Sequence, residues 1–342
     1  MKMVILPKEG LAEFIGHLCS FGELHAPVKT GEKSYMFAPV TDLSDIELNY
    51  TRTILPLKKY FFKPVDLLFN FCARSGYEAA IDDTNSSRVI FGVHPCDIHG
   101  LKILDLVFGG KYVDGYYFAR RSKAAIVGID CIPDESCFCQ STGTDFVDTG
   151  FDLFLSDIGE SYLIRVGTSL GDDMVRVADS LLREVQEQDR HAYKKRSAQR
   201  RESFQTEVQL QELPEIMDLE YESEVWRKVA DKCLSCGSCS MTCPTCYCYT
   251  VFDELDLAGG SGQRNRRWDS CLFKDFALVA GGHNFRPGRD SRIKNRYFHK
   301  LRGFVSRYGR PSCVGCGRCK VYCPAGIDIV EVIKELRSEI RV

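Results

Sequence analysis

Cys233-Leu-Ser-Cys236-Gly-Ser-Cys239-Ser-Met-Thr-Cys243-Pro244 and its echo, Cys313-Val-Gly-Cys316-Gly-Arg-Cys319-Lys-Val-Tyr-Cys323-Pro324, decide how this chain is read. Each is a C-x2-C-x2-C-x3-C-P run. Three thiolates so close together on a tight loop each hold one iron of a cubane. The fourth iron is left for a distant sulfur, which comes from the other run. The spacing predicts one [4Fe–4S] cluster on Cys233, Cys236, Cys239 and Cys323, and a second on Cys313, Cys316, Cys319 and Cys243. Gly237, Gly315 and Gly317 let the loops curl so that backbone N–H groups reach the cluster sulfurs. C-x2-C pairs also make zinc sites, but two complete four-cysteine runs, each closed by proline, are poorly explained by zinc.

Length and composition bound the rest. At 342 residues the chain is long enough for two domains, and 45 Lys and Arg against 47 Asp and Glu leave a net charge of −2. That balance gives no reason to expect a nucleic-acid partner. Seventeen cysteines is far above average, and the odd count argues against a closed disulfide framework. The opening Met1-Lys2-Met3-Val4-Ile5-Leu6-Pro7 is too short for a signal h-region, and no apolar run approaches the roughly twenty residues of a membrane span. The expectation is a soluble cytoplasmic protein of a reducing, anaerobic cell.

Outward from the cysteine runs, residues 1–187 show mixed α/β patterning. Leu11–Leu18 has helical spacing and Tyr35–Val40 reads as a strand. Arg88–His94, then the helical Ile98–Phe108, then Ala124–Asp130 make a βαβ unit with parallel pairing. Phe151–Ser156 and Tyr162–Val166 suit a hairpin, and Asp172–Val185 an amphipathic helix. Residues 188–220 turn polar and charged and read as a linker or a solvated helix. Residues 221–342 then form a dicluster domain of the α-helical ferredoxin kind, opening on a short helix with Trp226 and closing on a helix over Asp328–Ile340. A basic insertion, 249–310, separates its two runs; it either offsets cluster charge, docks an acidic partner, or is a solvated arginine-rich loop. The fold class expected is an α+β or α/β N-terminal domain followed by a two-cluster ferredoxin-like domain.

The first domain has its own cysteines. Cys96 sits in the strand-to-helix loop of the βαβ unit, Cys131 directly follows the next strand, and Cys137 and Cys139 lie a few residues on. Carboxyl ends of adjacent parallel strands lie side by side. Four sulfurs on one sheet edge predict a third [4Fe–4S] cluster on Cys96, Cys131, Cys137 and Cys139, against zinc, a Cys137/Cys139 dithiol or buried free cysteines. His94 and His99 lie close by and read as structural rather than ligating. Cys246, Cys248 and Cys271 are further candidate ligands without an evident fourth, and Cys19 and Cys72 read as core residues.

Gly92-Val-His-Pro-Cys-Asp97, Asp130-Cys131, Cys137-Phe-Cys139, Cys243-Pro-Thr-Cys-Tyr-Cys248, Trp268-Asp-Ser-Cys271, Ala280-Gly-Gly-His-Asn-Phe-Arg286 and the two runs together resemble the beta, iron–sulfur subunit of soluble sulfhydrogenases. The same residues are similar to an iron–sulfur component of anaerobic sulfite reductase. The resemblance implies a wire between a flavoprotein subunit that handles NAD(P)H and a catalytic subunit of the hydrogenase, sulfite reductase or similar kind. The residues agree on their own terms. The chain has no G-x-G-x-x-G after a strand, no Walker A loop and no acid/base or nucleophile constellation, which suits an electron-transfer component rather than the catalytic subunit. The alternative is an oxidoreductase subunit that binds its own flavin or substrate in the N-terminal domain.

Overall fold

This computed structural model describes residues 1–81, 86–257 and 260–339. In chain order the strands are β1 (Met3–Pro7), β2 (Glu23–Gly31), β3 (Ser34–Pro39), β4 (Val65–Cys72), β5 (Gly76–Ala79), β6 (Arg88–Val93), β7 (Ala124–Ile129), β8 (Leu153–Asp157), β9 (Ser161–Val166), β10 (Tyr249–Leu255) and β11 (Ser261–Trp268). The apolar runs of β6 and β7 are buried almost end to end, as strands covered on both faces must be. They pair in parallel, joined through the helix Pro95–Phe108, so the βαβ unit forms where its pattern predicts. The sheet around them runs β1-β9-β8-β7-β6-β2-β3, with β2 and β8 also parallel to their inner neighbours and β1, β9 and β3 antiparallel at the edges.

Alternation along these strands feeds two cores. Val89, Phe91, Val127 and Leu155 meet Phe14 and Leu18 of the helix Leu11–Leu18 and Met174 of the helix Ser169–Val177. Ile90, Ile126 and Phe154 on the opposite face meet Ile98, Leu101 and Leu104 of the helix Pro95–Phe108. The helix expected over Asp172–Val185 starts earlier and stops sooner. Thr168 caps it by accepting from the Gly171 N–H at 3.1 Å, and Arg183 leaves it to pair with the backbone of Ile5. The hairpin of β8 and β9 is as read.

A second, antiparallel sheet runs β10-β11-β4-β5, two strands from each side of the sequence. It turns part of the 249–310 stretch into ordered structure shared with the first 80 residues. Behind it lies a buried ion network: Asp66 accepts from Arg120 at 2.5 and 3.0 Å and from Arg266 Nε at 3.0 Å, and Arg266 also pairs with Asp114. Residues 187–202 form a helix that opens on a capping box of Gln186 and Asp189 and is mostly exposed. In the C-terminal part, Val225, Trp226 and Val229 of the helix Val225–Lys232 share a core with Ile293 and Tyr297 of Arg289–Phe298 and Val330 and Ile333 of Ile329–Glu339. Ile340, the expected last residue of that final helix, lies outside the described residues. Cys19 is exposed and Cys72 half-buried, so neither is the core residue expected; the first closes the helix Leu11–Leu18 and the second ends β4. Among the described residues no helix is long and apolar enough to cross a membrane.

One ion pair fastens the second cysteine run to the βαβ unit. Arg318 donates both terminal nitrogens to Asp97, at 2.9 and 2.8 Å, and its Nε to the Thr53 carbonyl at 2.9 Å. The two side chains are 1% and 0% exposed, so removing one partner strands the other's charge in a medium that cannot solvate it. Asp97→Ala is expected to lower the free energy of unfolding by about 3–5 kcal/mol in a urea melt. A loss below about 1 kcal/mol, the worth of an exposed pair, would contradict this role.

Candidate metal centre

Each cysteine run is a loop that closes on a one-turn helix, Ser238–Met241 in the first and Arg318–Val321 in the second. Gly237 and Gly317 precede these turns with φ of 74° and 71°, and Gly315 has φ 60°, a backbone state that side chains oppose. All three glycines also answer to crowding, Gly237 against the Phe273 ring. A Cβ on Gly315 would lie 2.5 Å from the Cys139 nitrogen, and one on Gly317 2.5 Å from the Ser136 carbonyl oxygen. The second run is therefore pressed directly on the Cys137–Cys139 loop, where the Phe138 N–H donates to the Gly315 carbonyl at 2.8 Å.

The sulfurs sort into cavities as the exchanged-ligand pattern requires. Cys233, Cys236, Cys239 and Cys323 border one cavity, and Cys243, Cys313, Cys316 and Cys319 border a second, with Cys319 also touching the first from the shared wall. Each run thus lends its fourth cysteine to the other run's cavity. Among the described residues no three His, Cys, Asp or Glu side chains converge as a single-ion site would require. Tetrahedral zinc would hold its sulfurs roughly 3.8 Å apart. A cubane gives each thiolate its own iron and asks for a wider ring around a hollow.

What lies between the cavities tests the fit further. Arg296 and Lys300 border both, and also a third cavity that holds Cys246, Cys248 and Cys271. Arg296 donates to the Cys239 carbonyl at 3.0 Å and approaches the Cys246 Sγ at 3.6 Å. Lys300 donates to Thr245 Oγ1 at 2.5 Å, and Lys58 to the carbonyls of Ser240 and Cys246 at 3.1 and 3.0 Å. All three cations are buried, and among the described residues none has a carboxylate within ion-pair distance. Such a cation is costly unless an anion lies nearby. Burial works against the charge on Lys300, yet the sulfurs of Cys243 and Cys246 hold it above the usual lysine range. Lys58 has less help, and burial brings it down to about 8 against the pull of Cys246 and Cys243. Clusters ligated by four thiolates are anionic, so the residues present fit them.

The third cysteine set also comes together. Parallel β6 and β7 end side by side, which brings Cys96, at the start of Pro95–Phe108, near Cys131; Cys139 lies within electrostatic reach of Cys131 and Cys137, and Cys96 within reach of Cys139 and Cys316. Burial raises the Cys137 thiol to about 12 and pushes Cys139 and Cys96 well above the ordinary range, so each holds its proton unless a metal displaces it. Arg52 donates to the Cys137 Sγ at 3.2 Å, and Arg200 reaches the Cys131 Sγ at 3.8 Å and its carbonyl at 2.7 Å. Both arginines escaped the sequence reading, and Arg200 lies in the stretch read as a charged linker. His94 stacks on Tyr50 with ring centres 4.0 Å apart, and burial lowers it to about 3; His99 Nε2 meets the Phe146 carbonyl at 2.8 Å. The histidines are thus held by ring and carbonyl contacts. Cys248 and Cys271 hydrogen-bond to each other, which brings the Cys248 thiol to about 6.

Residues 232–327 match the family model of the 4Fe-4S dicluster domain. Over 338 residues, 99% of each chain, the sequence is 42% identical to the Sulfhydrogenase 2 subunit beta of Pyrococcus furiosus. No solved structure matches the chain.

Stripping the iron would leave Lys300 buried without a counter-charge. Lys300→Met is therefore expected to stabilise the stripped chain by about 1–4 kcal/mol in a urea melt and to leave the iron-loaded chain no more stable. Equal stabilisation of both forms would mean that no anion answers this cation.

Proposed function

The chain belongs to the sulfhydrogenase beta-subunit family, and we propose that it serves as the iron–sulfur wire of a multi-subunit oxidoreductase. The observation that carries this reading is the pair of cavities, each ringed by three sulfurs of one run and the fourth of the other. In this reading Cys233, Cys236, Cys239 and Cys323 hold one [4Fe–4S] cluster, Cys243, Cys313, Cys316 and Cys319 a second, and Cys96, Cys131, Cys137 and Cys139 a third. When bound, each cluster accepts and passes on one electron at a time.

The residues around them do the rest. Cys319 lies on the wall between the first two cavities, and Cys96 and Cys139 share a packed cluster with Cys316, which supports an arrangement of the three sites in a row. Arg296 and Lys300, shared by two sites, favour the more negative, reduced state and raise its potential. Arg52 and Arg200 do the same for the third site by donating to its thiolates. Phe138 and Val314, both buried, close the second cavity to water. Cys236 is exposed beside the exposed Leu234, which makes the first site the one a partner can approach. The partners we assign are a flavoprotein subunit linked to NAD(P)H and a separate catalytic subunit, in a cytoplasmic complex.

Redox titration followed by EPR tests this. Removing one buried unit charge some 6–8 Å away, at an effective dielectric of about 20, is worth roughly 2–3 kcal/mol. Arg296→Gln is accordingly expected to lower the midpoints of the two clusters it borders by roughly 90–130 mV. The double change Cys137→Ala, Cys139→Ala is expected to remove one reducible signal and leave the others. A colourless protein with no reducible signal would overturn the reading.

A further inference from the structure

A single residue, His94, joins β6 to the helix Pro95–Phe108. Between Phe91 and Val93 the pairing of β6 with β7 slips by one residue, and the extra residue, Gly92, has φ 81°. A bulge of this kind re-aims the side chains beside it. His94 caps the helix through its carbonyl, which accepts from the Asp97 and Ile98 N–H groups at 3.0 and 3.1 Å, while its side chain makes no capping bond. The residue is 1% exposed, and among the described residues neither Nδ1 nor Nε2 has a hydrogen-bond partner. The Thr51 backbone lies within electrostatic reach but outside hydrogen-bonding geometry. Tyr50 stacks on the ring, and its hydroxyl is anchored on the Gly92 carbonyl at 2.8 Å. An imidazole carries at least one N–H in either protonation state, and a buried N–H without an acceptor is costly.

What surrounds the ring identifies the acceptor. Arg52, Arg200 and Arg318 all lie within electrostatic reach of His94. Arg52 donates to the Cys137 Sγ, Arg200 reaches the Cys131 Sγ, and Arg318 lies within reach of Cys96. Tyr50, stacked on the ring, is within reach of both Cys131 and Cys96. Three guanidiniums, each tied to a different sulfur of the third set, thus converge on one ring that has no bond of its own. Arg52 Nε is buried without a partner as well. Two unsatisfied donors beside the same sulfurs call for an acceptor that the thiols alone do not supply. We propose that His94 donates a ring N–H to a sulfur of the third cluster and raises its potential. This role rests on the reading of Cys96, Cys131, Cys137 and Cys139 as the ligands of that cluster. Such a bond is stronger to the more negative, reduced state, so it favours reduction. Tyr50 acts through His94, as the residue that positions the ring.

The test uses the full iron-loaded chain, purified anaerobically, reduced and carrying isotope-labelled histidine. The third signal is the one lost in the double change Cys137→Ala, Cys139→Ala. Pulsed EPR is expected to show a weak nitrogen coupling to that signal, of the size a hydrogen bond transmits, and His94→Phe is expected to remove it. In a redox titration His94→Phe, which keeps a ring against Tyr50, is expected to lower the reduced-to-oxidised ratio of the third cluster about tenfold at fixed potential, a midpoint fall of about 59 mV, and to leave the other two signals unmoved. His94→Asn or His94→Gln, each returning an N–H near one ring nitrogen, should recover part of the shift. A third signal without nitrogen coupling in the unaltered chain, or with an unchanged midpoint in His94→Phe, would overturn the proposal. So would a coupling strong enough for a direct iron–nitrogen bond. Should His94→Phe fail to load iron, the coupling in the unaltered chain decides alone. Absence of any third signal from the unaltered chain would instead overturn the third-cluster reading, and the role of His94 with it.

Discussion

A cation placed in a protein interior must find an anion, and this fold buries Arg296, Lys300 and Lys58 with carbonyls, the Thr245 hydroxyl and the Cys246 sulfur as their partners. Most of the site follows from that constraint. The helix Arg289–Phe298 and the turn after it present Arg292, Arg296 and Lys300 at fourfold spacing, on one face and buried. Arg292 spends its charge on backbone carbonyls, at 2.9 Å to Leu272 and 2.7 Å to Pro287, which leaves the other two for whatever the thiols hold. Anionic clusters balance them; a protein without clusters would carry them at a cost of several kcal/mol.

The same economy explains why the two sequence regions behave as one body. Arg318, inside the second run, is neutralised by Asp97 of the βαβ unit, and Gly315 and Gly317 let that run approach the Cys137–Cys139 loop closer than any side chain would permit. On the other side, the second sheet interleaves strands from both regions over the Arg120–Asp66–Arg266 network. Each device fixes the distance between one set of cysteines and the next. Fixed distances and a dry, charged lining are what a relay of electrons needs, since neither the spacing nor the solvation has to change as an electron passes.

Much of this was legible where the information is local. The cysteine runs carry the pattern for an exchange of ligands in their spacing, and the βαβ unit shows in consecutive apolar runs, so the sequence pattern alone puts Cys96 and Cys131 on one sheet edge. The second sheet was not legible, because β4 finds β11 some two hundred positions away, as Asp66 opposite Arg266 illustrates, and half-exposed strands such as Tyr249–Leu255 alternate only weakly. Arg200 was hidden in a charged run where its neighbours are solvated. Arg292, Arg296 and Lys300 did carry a signal. Their repeat of four marks a single helix face, and a basic stripe leading into a cysteine run could have been read as inward-facing.

The central claim is that three sets of four thiols, rather than two, hold cubanes in a row. Iron and acid-labile sulfide per chain, measured on anaerobically purified protein, test it most directly. The account predicts about twelve of each. About eight of each would confine the clusters to the two ferredoxin-type runs and return Cys96, Cys131, Cys137 and Cys139 to a structural role, contradicting it.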